Sequence, residues 1–409
     1  MGKSCKNYLP ATLALLLVCL TFTLGLFRCS EDKKGDVTTS DAQILKGPYL
    51  QMVTQDSIII RWETDIESPS KVAYGSSVAY GKSVSGRSFT IEAPTNGTLP
   101  TPEGVQHEVV INGLLPSTEY HYQVTSVAVP SEDSTFTTAG TISEPFRFVV
   151  HGDNRTNHDD HRKVVEAIIS GTGKPDLIVN TGDLVGSGML LAEWDKFFEI
   201  EQPLLKSSPL FPSFGNHELG GAHIFKGYFS LPENTGSGLY YSFNYGNSHF
   251  IIINTEEDFT SGSDQYNWAN SDLTAAKSDP NIQHIFASFH RPAYSSGNHG
   301  GNEAIVTSLV PLFTENDVDI VFSGHDHNYE RCQDPELDLN NPEGTVYIVT
   351  GGGGAPLYSK DDQNEANNPF SIGVFHSKLH FCQVDVSGSD ITVKVFNTDG
   401  NIIDSFTTQ

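Results

Sequence analysis

Five short motifs punctuate the chain in a fixed order, each directly after an apolar stretch. They are His151-Gly152-Asp153-Asn154-Arg155, Gly182-Asp183, Gly215-Asn216-His217-Glu218, Phe289-His290-Arg291 and Gly324-His325-Asp326-His327. The runs 146–150, 177–179 and 320–322 are short and mostly apolar and lead within a few residues into Asp, Asn or His. Such runs read as buried strands that deliver side chains to one edge of a sheet. Open α/β sheets carry their sites at the carboxyl ends of strands. Carboxylate, amide and imidazole groups converging from five strands, with no thiolate among them, suit two adjacent divalent or trivalent cations, and Fe, Zn and Mn all accept this donor set. A single Gly-Asn-His carries little weight. The ordered set carries the argument.

The length of 409 residues leaves room for two or three domains with a core in each. A hydrophobic content of 37% and a charged content of 18% are those of a folded globular chain rather than a disordered one. The net charge of −26 argues against nucleic acid as a partner, because phosphate backbones are repelled. An anionic substrate must then be met by local positive charge, from metals and a few Arg or His side chains.

Near the N-terminus, Lys3 and Lys6 precede an apolar stretch from Leu9 to Phe27. Residues 1–29 read as a secretory signal or an N-terminal anchor, and residues 30–44 as a polar linker. Export follows, to a secreted, periplasmic or membrane-tethered location at the outer face. Leu26-Phe27-Arg28-Cys29 looks like a lipoprotein acylation site, although Arg28 is atypical there; lipidation at Cys29, plain cleavage and an uncleaved span stay open. Cys5 and Cys19 lie in the same segment. Cys332 and Cys382 fall in the folded part, where an exported compartment permits either a bridge or two buried free thiols.

Residues 45–140 read as all-β, with strands expected at 57–62, 71–74, 107–111 and 120–124 between Gly, Pro, Ser and Asn clusters. The segment 115–124 has the pattern of the Tyr-bearing corner of a fibronectin type III-like sandwich. Residues 137–144 form the linker. From 145 to 409 strands alternate with helices: strands at 146–150, 177–179, 284–288 and 320–322, helices at 162–170, 190–205, 265–276 and 303–313. Residues 240–253 read as a hairpin turning at Gly246-Asn247, and 378–407 as further strands turning at Gly388 and Gly400. The fold class is α/β, a sandwich of two mixed sheets flanked by helices and preceded by an all-β sandwich.

The ordered motifs resemble those of the calcineurin-like metallophosphoesterase superfamily, and within it the purple acid phosphatase-like branch. That pattern runs GDxx, GDxxY, GNH(D/E), xxxH, GHxH, and four elements are present here, over roughly residues 45–409. Pro48-Tyr49-Leu50-Gln51 is similar to the start of the N-terminal domain of that branch. The resemblance implies a two-metal hydrolase of small phosphorylated substrates. Asp183 would bridge both metals; Asp153 and His327 would hold the first; Asn216, His290 and His325 would hold the second. His325 and His327, two apart at a strand end, can reach neighbouring ions, with Asp326 turned away to orient an imidazole.

Two departures stand out. Purple acid phosphatases carry Tyr three residues after the bridging Asp, where this chain has Gly186, so no tyrosinate-to-iron colour is expected from that position. Non-purple relatives often carry His two residues after the first Asp, where this chain has Arg155. The first metal is one ligand short on either template. His161 is the candidate to fill the gap, with His158 next to it in Asn157-His158-Asp159-Asp160-His161. Arg155 is the candidate phosphate clamp, with a salt bridge to Asp159 or Asp160 as the plain alternative. Arg291 serves the site or the structure alone.

His299, nine residues after His290, and His217 are candidates to protonate a leaving group. Gly351-Gly352-Gly353-Gly354 lacks the Lys-Ser/Thr ending of a nucleotide loop and reads as a tight turn near the rim. Glu218 and Tyr329 have no assigned role. The expected reaction is hydrolysis of phosphomonoesters by in-line attack of a hydroxide held between the metals. A phosphodiesterase on the same scaffold and a surface binding protein with a degenerate site are the alternatives. Substrate choice would fall to the loops 256–264 and 360–370.

Overall fold

A computed structural model describes residues 41–94, 99–125, 127–333, 342 and 344–408. The candidate export segment, Cys29 and most of the polar linker lie outside them. Residues from Ile44 to Thr137 form two four-stranded antiparallel sheets, one ordered Ile44–Gln51, Ser57–Thr64, Val105–Asn112, Arg87–Phe89, the other Lys82–Ser85, Lys71–Gly75, Glu119–Val124, Ser134–Thr137. Alternation places Ile58, Ile60, Trp62, Val109, Ile111, Tyr122 and Phe136 between them, all fully buried. The hydroxyl of Tyr120 accepts from the Leu115 amide at 3.0 Å, which is the expected corner. Lys82–Ser85 and Arg87–Phe89 are too short and too exposed to register as strands in the sequence.

The remainder is a sandwich of two mixed sheets. The first runs Leu210–Pro212, Leu177–Asn180, Phe146–His151, His380–Ser387, Asp390–Asn397, Ile402–Thr408, parallel among the first three and antiparallel thereafter. The second runs Tyr241–Tyr245, Ser248–Ile252, His284–Phe289, Ile320–Ser323, Val346–Thr350, Tyr329–Cys332, Ser371–His376, with its second to fifth strands parallel. The parallel strands are buried along their length, as strands covered on both faces must be. Phe148 from the first sheet meets Phe250, Phe286 and Phe322 of the second edge-on at 5.2, 5.0 and 6.1 Å, which fixes the two layers against each other.

The outer faces are covered by helices. His158–Thr172 and Leu191–Leu205 pack Val164, Ile168, Trp194 and Phe197 against the first sheet. Asp264–Ser278 and Glu303–Glu315 pack Leu273, Leu309 and Phe313 against the second. Ser263 and Asn302 cap these last two by accepting from the amides of Tyr266 and of Ala304 and Ile305. Cys382 on the first sheet and Cys332 on the second are buried free thiols, which settles the choice between bridge and thiols.

The N-terminal sandwich docks on the first-sheet side. Tyr49 donates its hydroxyl to the Tyr228 carbonyl at 2.7 Å, Arg61 reaches the Gly227 carbonyl at 2.7 Å and Ser230 Oγ at 3.0 Å, and Lys46 links Glu63 to Asp195. The receiving helix, Ala222–Tyr228, has only seven residues and gave no periodic signal.

One group in this sandwich makes stability depend on pH. His107 stacks flat on Trp62 at 4.8 Å, with Nε2 2.7 Å from Thr64 Oγ1 and Nδ1 2.9 Å from Ser70 Oγ. Thr64 gives its own proton to the Ile66 carbonyl, so it accepts from Nε2–H and leaves Nδ1 to accept from Ser70. The neutral ring is thus satisfied on both sides, and burial pushes its pKa down to about 4. A histidine depressed in the folded state contributes stability above its unfolded pKa near 6.5, and that contribution is lost as pH falls towards 4. We expect about 3 kcal/mol to disappear over that window. Urea unfolding followed by tryptophan fluorescence at pH 7, 5.5 and 4 should show the loss in the wild type and little of it in His107→Gln; equal losses in both remove the account.

Candidate metal centre

The five motifs meet at the carboxyl ends of strands from both sheets. Asp153 follows Phe146–His151, Asp183 follows Leu177–Asn180, Asn216 opens the short turn after Leu210–Pro212, His290 follows His284–Phe289, and His325 and His327 follow Ile320–Ser323. Asp153, Asp183 and His325 adopt φ of 56°, 55° and 70°, a region that non-glycine residues enter at a cost. Hydrogen bonds hold them there: Asp153 N donates to Gly182 O at 2.9 Å, Asn154 N to Asp183 O at 3.0 Å, and His325 N to the Asp153 side-chain Oδ2 at 2.9 Å. The loops touch so closely that a Cβ on Gly215 would lie 2.4 Å from the Asp183 amide nitrogen, and one on Gly324 2.3 Å from Asp153 Oδ2. The Gly351–354 run packs here too. Gly353 donates to the Gly152 carbonyl at 2.9 Å and Ala355 to the Asp153 carbonyl at 2.8 Å, so the run is a wall of the centre rather than a loop for phosphate.

Around His290 Nε2 lie Asn216 Oδ1 at 3.0 Å, His325 Nδ1 at 3.2 Å and Asp183 Oδ1 at 3.3 Å. His290 Nδ1 donates to the Thr181 carbonyl at 3.0 Å, which orients the ring. Burial favours a neutral ring, but the carboxylates of Asp183 and Asp153 outweigh it and hold the His290 pKa up at about 10. This basin therefore demands a positive charge. Asp153, fully buried, has its pKa raised by that burial, and its Oδ1 has no hydrogen-bond partner among the described residues. Asp153, Asp183 and His290 offer donor atoms within 4.8 Å of one another. A buried carboxylate oxygen without a donor and converging N/O donors fit divalent or trivalent cations.

Beside this group, His327 Nδ1 donates to the Pro356 carbonyl at 2.7 Å, and its Nε2 lies 3.5 Å from Asp153 Oδ1. Arg155 enters between them, with Nε 3.1 Å from Asp183 Oδ2 and Nη2 3.1 Å from His327 Nε2. The alternative pairing of Arg155 with Asp159 or Asp160 is not made. Arg291 forms a two-pronged pair with Glu256, at 2.7 and 3.0 Å, and places Nη1 3.2 Å from His325 Nε2.

Two buried carboxylates organise the loops. Glu218, fully buried, accepts from the amides of Asp183, Gly215 and Val185 at 3.0, 2.9 and 3.2 Å. Burial and the Asp183 charge push its pKa up to about 8 against the pull of those amides. Asp326 turns away from the basin, as expected, and the imidazole it orients is His299. Oδ1 takes the His299 amide at 2.8 Å and Nδ1–H at 3.0 Å, while Oδ2 takes Ser295 Oγ at 2.5 Å and the Gly300 amide at 3.2 Å. His299 stacks on His325 at 4.2 Å between ring centres and lines a cavity of about 400 Å³ with Ala293, Tyr294, Asn364 and Asn367. Asn364 and Asn367 belong to the helix Asp362–Asn367, inside the 360–370 loop. His217 gives its amide to Asp183 Oδ1 at 2.9 Å and its Nδ1–H to the Gly186 carbonyl at 2.7 Å, leaving Nε2 3.8 Å from Asp183 Oδ2.

His161 is a correction. Its Nε2 lies 2.7 Å from Glu201 Oε1, both groups are buried, and the ring stacks on Phe197. The partner is a carboxylate of the helix Leu191–Leu205, on the covered side of the sheet, and not the Asp153 group. His158 sits in the first turn of its helix and lines a shallow groove with Thr156, Asn157 and Lys163. Tyr329 donates to Asp404 at 2.6 Å and serves the sheet.

Residues 146–329 match the family model described as Calcineurin-like phosphoesterase, and residues 46–138 that of Purple acid Phosphatase, N-terminal domain. The probable purple acid phosphatase 20 of Arabidopsis thaliana is 32% identical over 330 residues, covering 75% of this chain and 73% of the relative. Purple acid phosphatase 23 of the same plant is 29% identical, covering 69% and 71%. The solved purple acid phosphatase PPD1 of yellow lupin (Lupinus luteus) shares the fold with a TM-score of 0.75 at 21% identity, over 90% of this chain and 74% of that one. With motifs, fold and relatives in agreement, the chain belongs to the purple acid phosphatase family and is a metal-dependent phosphoester hydrolase.

Proposed function

We propose that this protein hydrolyses phosphomonoesters by in-line displacement at phosphorus. The observation that carries the reading is the basin itself, where two buried carboxylates, an amide oxygen and imidazole nitrogens converge around a point that demands positive charge. Asp183, Asn216, His290 and His325 would hold one cation, and Asp153, Asp183 and His327 the other. When bound, such cations supply Lewis acidity and a water whose pKa falls towards neutrality. Everything else is done by the chain. Arg155, side chain 15% exposed, presents guanidinium N–H groups at the mouth, suited to two phosphate oxygens. His299 has its Nδ1 proton held by Asp326, so Nε2 is the nitrogen that carries a proton to the departing alkoxide. His217, anchored through Nδ1, offers Nε2 from the Asp183 side. The cavity beside His299 gives the leaving group room.

We also read residues 1–29 as an export segment, the sandwich as 45–140 and the catalytic part as 145–409. Lys3 and Lys6 ahead of the apolar 9–27 stretch support export. A small phosphorylated substrate met outside the cytoplasm follows from this reading.

Two outcomes test it. Asp183→Asn should lower p-nitrophenyl phosphate turnover by about 10³-fold, the scale set by losing several kcal/mol of cation-borne stabilisation, and should lower the metal content measured by mass spectrometry. Unchanged turnover sinks the reading, and a preference for bis(p-nitrophenyl) phosphate transfers it to diesters. Asp326→Asn should leave metal content intact and slow phenyl phosphate about 10–100-fold, with a smaller effect on p-nitrophenyl phosphate, whose leaving group needs no proton. Equal losses on both substrates would assign Asp326 to the fold alone.

A further inference from the structure

The two halves of the centre are not equivalent. In the half formed by Asp183 Oδ1, Asn216 Oδ1, His290 Nε2 and His325 Nδ1, four donor groups face one another and no guanidinium among the described residues touches any of those four atoms. Arg291 reaches only the outer nitrogen of His325, and Glu256 answers its charge in a two-pronged pair. The other half has three donor groups, Asp153, Asp183 and His327. Gly186, where the family pattern has a tyrosine, contributes its carbonyl to His217 instead, and His161 is held by Glu201.

Arg155 engages two of those three groups directly. His327 donates Nδ1–H to Pro356, so its Nε2 keeps a lone pair, and the Arg155 Nη2 takes it at 3.1 Å. The Arg155 Nε takes Asp183 Oδ2, also at 3.1 Å. A guanidinium stays charged throughout the accessible pH range and has no acceptor to offer a metal. A cation entering this half must displace it from two ligand atoms and then sit beside a fixed positive charge. In the other half a cation has only the exchangeable proton on His290 Nε2 to displace, and no fixed charge stays behind among the donor atoms.

We propose that Arg155 stands in this chain for the ligand missing from the first half, so that the protein retains one cation firmly and takes a second weakly and reversibly. This rests on the reading of the centre as a metal site. Its functional meaning is that part of the positive charge facing the phosphate is built into the chain through Arg155, and that full occupancy of the centre follows the concentration of free cation outside.

The test is a titration of the metal-stripped chain with Mn(II), reading free and bound ion by electron paramagnetic resonance, with metal content after dialysis as a second readout. The wild type should bind one equivalent with a mononuclear signal and a second about 10–100-fold more weakly, the range associated with changing a group in contact with a metal ligand. Arg155→His, which supplies an imidazole in place of the guanidinium, should bring the two affinities together and give an exchange-coupled signal. Arg155→Ala, which frees both ligand atoms without adding one, should lie between them and guards against a folding defect of the first variant. Two equivalents held equally tightly by the wild type overturn this inference alone. Unequal affinities that both variants leave unchanged also overturn it. A wild type that binds no Mn(II) overturns the reading of the centre and the inference with it.

Discussion

Asp153 and Asp183 are brought into one water-poor basin, and like charges without solvent between them repel. Most of the surrounding architecture follows from holding them there. Their burial is expensive unless charge is balanced on the spot. Here the balance comes from His290, whose proton the two carboxylates retain to about pH 10, and from Arg155 at the mouth. The backbone bears part of the cost as well: both aspartates and His325 sit at positive φ, where only a surrounding network keeps them. Two sheets locked face to face through Phe148, Phe250, Phe286 and Phe322 give that network a stiff base. A softer scaffold would let the loops relax and the carboxylates part.

Glu218 and Asp326 organise the loops around this basin. Each is a buried carboxylate spent on backbone and side-chain donors: Glu218 on three amides around Asp183, Asp326 on two amides, a hydroxyl and an imidazole around His299. A buried carboxyl group with several donors tolerates little displacement, because each lost bond leaves a desolvated polar group without its partner. The positions of Asp183 and of His299 are therefore set by two separate anchors. One can be perturbed without the other.

What the sequence discloses about such a site is the type and order of its donors. Asp153, Asp183, Asn216, His290, His325 and His327 all announce themselves by standing at the ends of apolar runs, and the structure brings all six together. Of the two anchors, Asp326 is legible as a residue that turns away to orient an imidazole, but the imidazole lies on a loop 27 residues upstream, and Glu218, which acts on amides up to 35 residues away, does not announce itself. His161 shows the opposite failure. A histidine eight residues after Asp153, near a helix start, has the right chemistry, but spacing does not say which face of the helix it occupies. Glu201, 40 residues further on, takes it to the covered side. The same limit hid the Ala222–Tyr228 helix, whose worth lies in carbonyls offered to Arg61 and Tyr49 of another domain.

The arginines show why the family's template and this chain's chemistry have to be separated. Arg291 and Arg155 each stand near one of the paired histidines, at 3.2 and 3.1 Å. Distance alone makes them look alike. Their surroundings do not: Arg291 is neutralised by Glu256 before it reaches His325, whereas the carboxylate that neutralises Arg155 is Asp183, a candidate ligand itself. A charge pair between two bystanders leaves a neighbouring metal site untouched. A charge pair that includes a ligand competes with the metal for the same oxygen. Against the family pattern, Gly186 leaves out an anionic tyrosine and Arg155 adds a permanent cation. Together they shift charge at the first half of the centre in the same direction, towards positive without any ion bound.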